Sequence, residues 1–262
     1  MTDTRPIGVF DSGLGGLSVL RHIRQLLPAE RLYYVADSAY APYGDKPESD
    51  IQQRSTVITR YLISHDIKAL VVACNTATAA AIETLRADFD LPIIGMEPAV
   101  KPAALLTQSG VVGILATPGT LASEKYARLY QQFAENVKII SQPCPGLVEQ
   151  VEKAELESGQ TRELVTRYVS ALLEQGADTL VLGCTHYPFL KSLVEDVAGV
   201  SVRVLDTGEA VARELQRRLD QAGILTADDE HSDVCFFSNT ALSLNVVDQL
   251  WNGSLIKQQL DI

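Results

Sequence analysis

Two patterns of apolar and polar positions alternate along this chain. Short apolar runs, at residues 7–10, 32–36, 70–73, 92–95, 111–115, 137–140, 179–182 and 202–205, are rich in Val, Ile and Leu. Between several of them lie longer stretches with apolar residues at helical spacing, such as Leu17, Leu20, Ile23 and Leu27, or the segments 48–64, 121–133, 161–175 and 189–197. A short apolar run with no polar alternation suits a strand covered on both faces, as in a parallel sheet flanked by helices. The pattern predicts an α/β protein. The alanine-rich segment 76–86 adds a helix that can lie close to a neighbour, and 206–219, with Val211, Leu215 and Leu219, adds another before a strand at 235–238.

The pattern also repeats. The run with Gly113, ending in Ala116-Thr117-Pro118-Gly119-Thr120, repeats the run with Gly8, ending in Asp11-Ser12-Gly13-Leu14-Gly15-Gly16. Leu70-Val71-Val72-Ala73-Cys74-Asn75-Thr76 is answered by Leu180-Val181-Leu182-Gly183-Cys184-Thr185-His186. Gly113 stands 105 positions after Gly8, and Cys184 stands 110 after Cys74. Two unrelated anchors that agree this closely indicate an internal duplication. The expected fold is two similar open α/β lobes with the active site in the cleft between them. Residues 1–97 plus 206–262 would form the first lobe, with Cys74, and 98–205 the second, with Cys184. The crossings near 97 and 206 would form a hinge.

Each half therefore offers one thiol where a strand runs into a polar turn. Ligands of open α/β sheets bind at that end of the strands, and the amides opening a helix can lower a thiol's pKa or hold an anion. The turn at 11–16 lacks the spacing of a dinucleotide site, because a GxGxxG begun at Gly13 would need glycine where Ser18 stands. Asp11, Ser12 and nearby amides could instead meet a smaller anion, or one of the two side chains could simply cap a helix. The loop 37–47, rich in aromatic, proline and glycine residues, reads either as a shaped cover over the strand ends or as a stiffened surface connection.

Composition narrows the classes. The 262 residues are 46% hydrophobic and 21% charged, with a formal charge of −11, which argues against a nucleic-acid or anionic-membrane surface. No segment approaches the roughly 20 apolar residues of a membrane span, and the first six residues lack the apolar core of a signal peptide. A cytoplasmic protein is expected. Four cysteines with no CxxC pair fit free thiols in a reducing compartment, and Cys144, between two prolines, reads as structural or incidental.

Three chemistries remain for Cys74 and Cys184. They could bind zinc with His186, although Cys74 has no ligand partner within four residues. One cysteine could be a nucleophile with His186 as its base, which leaves the symmetry of the two turns unexplained. Or two thiols could face opposite sides of one carbon, one removing a proton and the other returning one, as in a two-base racemase or epimerase. Nothing marks a Schiff-base lysine, and no cofactor or metal is expected.

The motifs Gly8-Val9-Phe10-Asp11-Ser12-Gly13-Leu14-Gly15-Gly16, Pro42-Tyr43-Gly44, Cys74-Asn75-Thr76-Ala77-Thr78, Thr117-Pro118-Gly119-Thr120 and Gly183-Cys184-Thr185-His186-Tyr187-Pro188 together resemble the cofactor-independent aspartate/glutamate racemase superfamily. The resemblance covers essentially the whole chain. It implies interconversion of L- and D-glutamate, supplying D-glutamate for peptidoglycan, with aspartate as the alternative substrate. It also implies that Cys74 deprotonates D-glutamate and Cys184 deprotonates L-glutamate. Asp11 resembles the carboxylate beside the first thiol, His186 the imidazole beside the second, and Glu149 a further acidic residue near Cys184. Asp11, Ser12, Pro42, Tyr43, Gly44, Asn75, Thr76, Thr117, Thr120, Thr185 and His186 resemble the substrate-binding set. A homodimer is the expected assembly.

Overall fold

The computed structural model describes residues 3–135, 137–226 and 232–262. The chain begins β1 (Ile7–Asp11), α1 (Leu17–Leu26), β2 (Leu32–Ala36), α2 (Glu48–Ser64), β3 (Ala69–Val72), α3 (Asn75–Asp88) and β4 (Ile93–Ile94). It then crosses to a second group: α4 (Val100–Leu106), β5 (Val111–Ala116), α5 (Pro118–Ala122), α6 (Glu124–Phe133), β6 (Lys138–Pro143), α7 (Leu147–Glu152), α8 (Gly159–Leu173), β7 (Thr179–Leu182), α9 (Lys191–Ala198) and β8 (Arg203–Leu205). A tail of α10 (Gly208–Gln221), β9 (Val234–Ser238), α11 (Ala241–Leu250) and β10 (Ile256–Gln259) returns to the first.

The strands form two sheets, in the orders β10-β9-β2-β1-β3-β4 and β6-β5-β7-β8, and every pairing is parallel. The β2-β1-β3-β4 part of the first has the same order as the whole of the second. β1 and β5 thus take corresponding places, as do β3 and β7, and both cysteine turns leave the carboxyl ends of corresponding strands. β9 and β10 extend only the first sheet. No helix among the described residues is long and apolar enough to cross a membrane.

The helices differ from the sequence expectation where local capping outweighs periodicity. The segment 121–133 is not one helix: Thr117 caps α5 by accepting the Thr120 N–H at 3.2 Å, with Pro118 in the first turn. Ser123 then ends α5 and caps α6 by accepting the Tyr126 N–H at 3.1 Å. The segment 189–197 is entered through a 3-10 turn at Tyr187–Leu190, whose Pro188 suits a first turn. The short α4 and α7, the tail helix α11 and the exposed strand β10 carry too little pattern to be read beforehand.

One apolar core runs between the two sheets, joining Leu14, Leu17 and Leu20 of the first group to Leu147, Leu182 and Tyr187 of the second. The other faces are filled separately, by Phe10, Ile58, Val72 and Leu85 in the first and by Val112, Ile114, Tyr126 and Val181 in the second. The lobes are therefore fused by buried apolar surface along one side of the cleft and not along the other.

Candidate active site

β1 ends at Asp11, β3 leads into Cys74, and β7 leads into Cys184, so all three side chains converge from strand ends. Cys74 caps α3, its Sγ accepting the Ala77 N–H at 3.4 Å, and its S–H faces Ser12 Oγ at 3.9 Å. Cys184 Sγ lies 3.7 Å from His186 Nδ1, and His186 Nε2 lies 2.7 Å from Glu152 Oε1. Glu152 reaches across from the second lobe to accept the Leu14 N–H at 2.6 Å, while Ser38 Oγ approaches its other oxygen at 3.4 Å. The fully buried Asp11 accepts hydroxyl hydrogen bonds from Ser12 at 2.9 Å and Thr185 at 3.0 Å. Ser18 donates to the Thr185 carbonyl at 2.8 Å. A side chain on Gly15 would run into the His186 ring, so the glycine turn also makes room for an imidazole from the opposite lobe.

These surroundings set where protons rest. Burial opposes charge on His186, but its hydrogen bonds to Cys184 and Glu152, with the charges of Cys184 and Asp11, outweigh that and hold its pKa well above the ordinary histidine value. Across the cavity, burial and then the Asp11 charge push the Cys74 thiol well up, against the opposing hydrogen bond from Ala77. Burial likewise raises the Asp11 carboxyl, although His186, Ser12 and Thr185 oppose the rise. The resting arrangement is thus asymmetric: a protonated thiol on one side, and a sulfur paired with a cation on the other.

The opposite wall is uncharged. Thr76 Oγ1 lies 3.0 Å from Thr117 Oγ1 and 3.1 Å from Thr120 Oγ1, three buried hydroxyls contributed by both lobes. Both polar atoms of the buried Asn75 side chain lack a hydrogen-bond partner among the described residues, the arrangement of a group kept for a ligand. The loop 37–47 folds into two 3-10 turns, Ser38–Tyr40 and Tyr43–Asp45, and buries Tyr43 and Gly44 against this wall. Its inner residues cover the strand ends while Ala39, Tyr40 and Asp45 face outward. Gly119 lies so close that a Cβ there would stand 2.6 Å from the Gly44 carbonyl oxygen.

Both thiols border one small cavity of about 10 Å³, room for about one water and too small for an amino acid with the lobes as they stand. A larger cavity of about 420 Å³ lies beyond Thr76, between α3 and α6, but neither thiol lines it. We place the chemistry in the smaller one, because the thiols, His186 and the unpartnered amide meet there. Among the described residues, no group of three or more His, Cys, Asp or Glu is arranged to hold a metal ion.

A family model described as Asp/Glu/Hydantoin racemase matches residues 7–234. The chain belongs to that family. A glutamate racemase of Methylococcus capsulatus is 60% identical over 221 residues, 84% of this chain and 82% of that one. Among solved structures, a glutamate racemase isoform from Bacillus anthracis superposes with a TM-score of 0.90 at 31% identity, covering 99% of this chain and 98% of that one. Escherichia coli glutamate racemase, in complex with L-glutamate and the activator UDP-MurNAc-ala, gives 0.85 at 33% identity, with 97% of each chain covered.

For this racemase-family chain, Ser12, Pro42, Tyr43, Gly44, Cys74, Asn75, Thr76, Thr117, Cys184, Thr185 and His186, all marked in the sequence, border the thiol cavity. Asp11 and Thr120 stand directly behind it, bonded to Thr185 and Thr76. Glu149 stands apart from this group. It is half-buried on α7 and neither borders the cavity nor bonds to His186, whereas Glu152, one turn further on, does bond to it. Three places along a helix returns to nearly the same face, so Glu149 and Glu152 stand one turn apart on α7. Val148 also borders the cavity and carries no signal in the sequence beyond its apolarity. Cys144 is buried and donates its S–H to the Gln142 carbonyl at 3.2 Å.

Proposed function

We propose that this chain interconverts L- and D-glutamate without a cofactor, by proton transfer between the substrate Cα and two thiols. One observation carries the reading: Cys74 and Cys184, at the ends of corresponding strands, approach a single cavity from the two lobes. The family membership and the L-glutamate in the Escherichia coli relative support glutamate as the substrate. The enzyme would work in the cytoplasm, as a homodimer, and supply D-glutamate for peptidoglycan. Its lobes, 1–97 plus 206–262 and 98–205, would part to admit substrate and close to exclude water.

With L-glutamate bound, the Cys184 thiolate takes the Cα proton and the Cys74 thiol donates its own to the opposite face. D-glutamate leaves, with Cys184 now protonated and Cys74 a thiolate, which is the state needed for the reverse reaction. The resting arrangement, with protonated His186 beside Cys184 and the Cys74 thiol held neutral, is ready for the L-enantiomer. The carbanion is not delocalised by a Schiff base, so fixed donors around a water-free cavity must stabilise the charge as it develops. Asn75, Thr76, Thr117 and Thr185, with backbone amides, are suited to hold the substrate carboxylates.

Proton NMR in D₂O with each enantiomer tests this, with optical rotation followed in parallel. Deuterium at Cα of the inverted product is expected from the unmodified protein. Cys74→Ala and Cys184→Ala should each lower racemisation by about 10³-fold or more, the scale of general acid–base catalysis. Full inversion by either variant sinks the two-thiol mechanism. Inversion of aspartate in preference to glutamate would replace the substrate.

A further inference from the structure

Among the described residues, the tail strands that extend the first sheet have no counterpart in the second, and the family match ends at residue 234, where β9 begins. Just beyond β9, Asn239 turns onto the loop that carries Tyr43. Its Oδ1 accepts the Ala39 N–H at 2.8 Å, and its Nδ2 donates to Asp37 Oδ1 at 2.6 Å. Asp37 is fully buried at the end of β2 and also accepts from the Tyr43 hydroxyl at 2.5 Å. The Arg54 guanidinium, reaching from α2, donates to both Asp37 oxygens, at 3.0 and 2.7 Å, and lies 3.9 Å over the Tyr40 ring.

Asn239 therefore bridges the Ala39 N–H and the buried Asp37 carboxylate, accepting from one and donating to the other. A primary amide offers both at once, which fixes its orientation and makes this residue type specific to the position. Apart from the first sheet's own strand ends, the groups that hold Asp37 come from α2 and from the tail. Asp37 in turn holds Tyr43, and Tyr43 and Gly44 border the thiol cavity.

We propose that Asn239 is a positioning residue for substrate binding: acting through Asp37, it fixes Tyr43 and Gly44 against the cavity and makes the tail part of the site. The proposal rests on the racemase reading above. A bond to a buried carboxylate is strong enough that its loss loosens the loop, and a loosened loop weakens binding more than it alters proton transfer between the thiols.

The test is steady-state kinetics of the full chain with both glutamate enantiomers, alongside thermal melting. Asn239→Ala should raise KM for both by about tenfold, the loss of one charge-assisted hydrogen bond, with kcat within about twofold. Thr240→Ala is the control for damage to the tail: it removes the α11 cap, where Thr240 Oγ1 accepts the Ser243 N–H at 3.3 Å, without touching Asp37. It should lower the melting temperature and leave KM unchanged. Asn239→Ala and Tyr43→Phe should combine to less than the product of their separate effects.

Asn239→Asp keeps the shape and sets a second carboxylate against Asp37, where Arg54 and Tyr43 are the other charged or titratable groups in contact. A carboxylate cannot supply the donor that Nδ2 supplies, so this variant should raise KM at least as much as Asn239→Ala. A KM for Asn239→Ala within twofold of the unmodified protein, an equal rise in Thr240→Ala, full multiplicativity with Tyr43→Phe, or an unchanged KM for Asn239→Asp would each overturn the proposal. An unmodified protein that does not racemise glutamate refutes the parent reading instead, so the two failures are distinguishable.

Discussion

His186 holds its charge because Glu152 and Cys184 bond to its two ring nitrogens. Glu152→Gln removes a negative charge and leaves an oxygen that can still accept a hydrogen bond, so the imidazolium becomes easier to deprotonate. The alkaline limit of L-glutamate turnover should move to lower pH in this variant, with kcat down about tenfold, read from a pH–rate profile. Stability follows the same sign. A pKa raised by folding stabilises the native state fully below the ordinary histidine value of about 6.5, and this is lost as pH rises through the higher folded value. The melting-temperature gap between the unmodified protein and the variant should therefore be widest in acid and close in alkali. Glu152 also marks a limit of reading residues from sequence. Cys74 and Cys184 were legible because each ends an apolar run in a repeated context. Glu152 acts on Leu14 and His186, which are distant in the chain, and no local motif sets it apart from Glu149.

Helices and strands were legible in proportion to the length of their pattern. β1, β3, β5 and β7 are buried on both faces and so unbroken in hydrophobicity, while α1, α2, α8 and α10 run long enough to show their period. The break between α5 and α6 depends on the hydroxyls of Thr117 and Ser123, which outweigh an apolar spacing that continues through them. α5 also supplies Gly119, packed on the Gly44 carbonyl of the opposite lobe. Gly119→Ala forces the two turns apart, and an overpacking cost of about 1–3 kcal/mol borne by the assembled site corresponds to a fall in kcat/KM of about fivefold to 150-fold. Gly159→Ala, at the start of α8 with nothing within 4 Å of the new methyl, should leave kcat/KM unchanged. Equal kinetics for the two variants would show that the contact between Gly44 and Gly119 does not shape the site.

The whole molecule is joined unevenly. A shared apolar core and the bonds of Asp11, Leu14 and Ser18 to the second lobe hold one side of the cleft. Hydroxyls and a glycine contact close the other. Because the thiol cavity is too small for glutamate, opening should occur on the weaker side. Hydrogen–deuterium exchange should show faster exchange at the starts of α3 and α5 than in α1 without ligand, and slowing there when glutamate is added. Protection that is equal in all three segments would place the opening elsewhere. The duplication itself was legible from two cysteines and two glycines, whereas the shared core depends on which faces the chain brings together, and spacing does not record that.

The matching strand orders carry one more consequence, which concerns handedness. Both lobes are built from L-residues, so whatever motion carries one onto the other is a proper rotation, and no rotation turns a molecule into its mirror image. The internal repeat can place a sulfur on each side of a flat carbon, but it cannot make the two enantiomers equivalent to the protein. Symmetry alone would leave one of them poorly held. The unlike neighbours of the two cysteines, a carboxyl and Ser12 on one side and an imidazole with its own carboxylate on the other, are the departure from symmetry that a catalyst of mirror images requires.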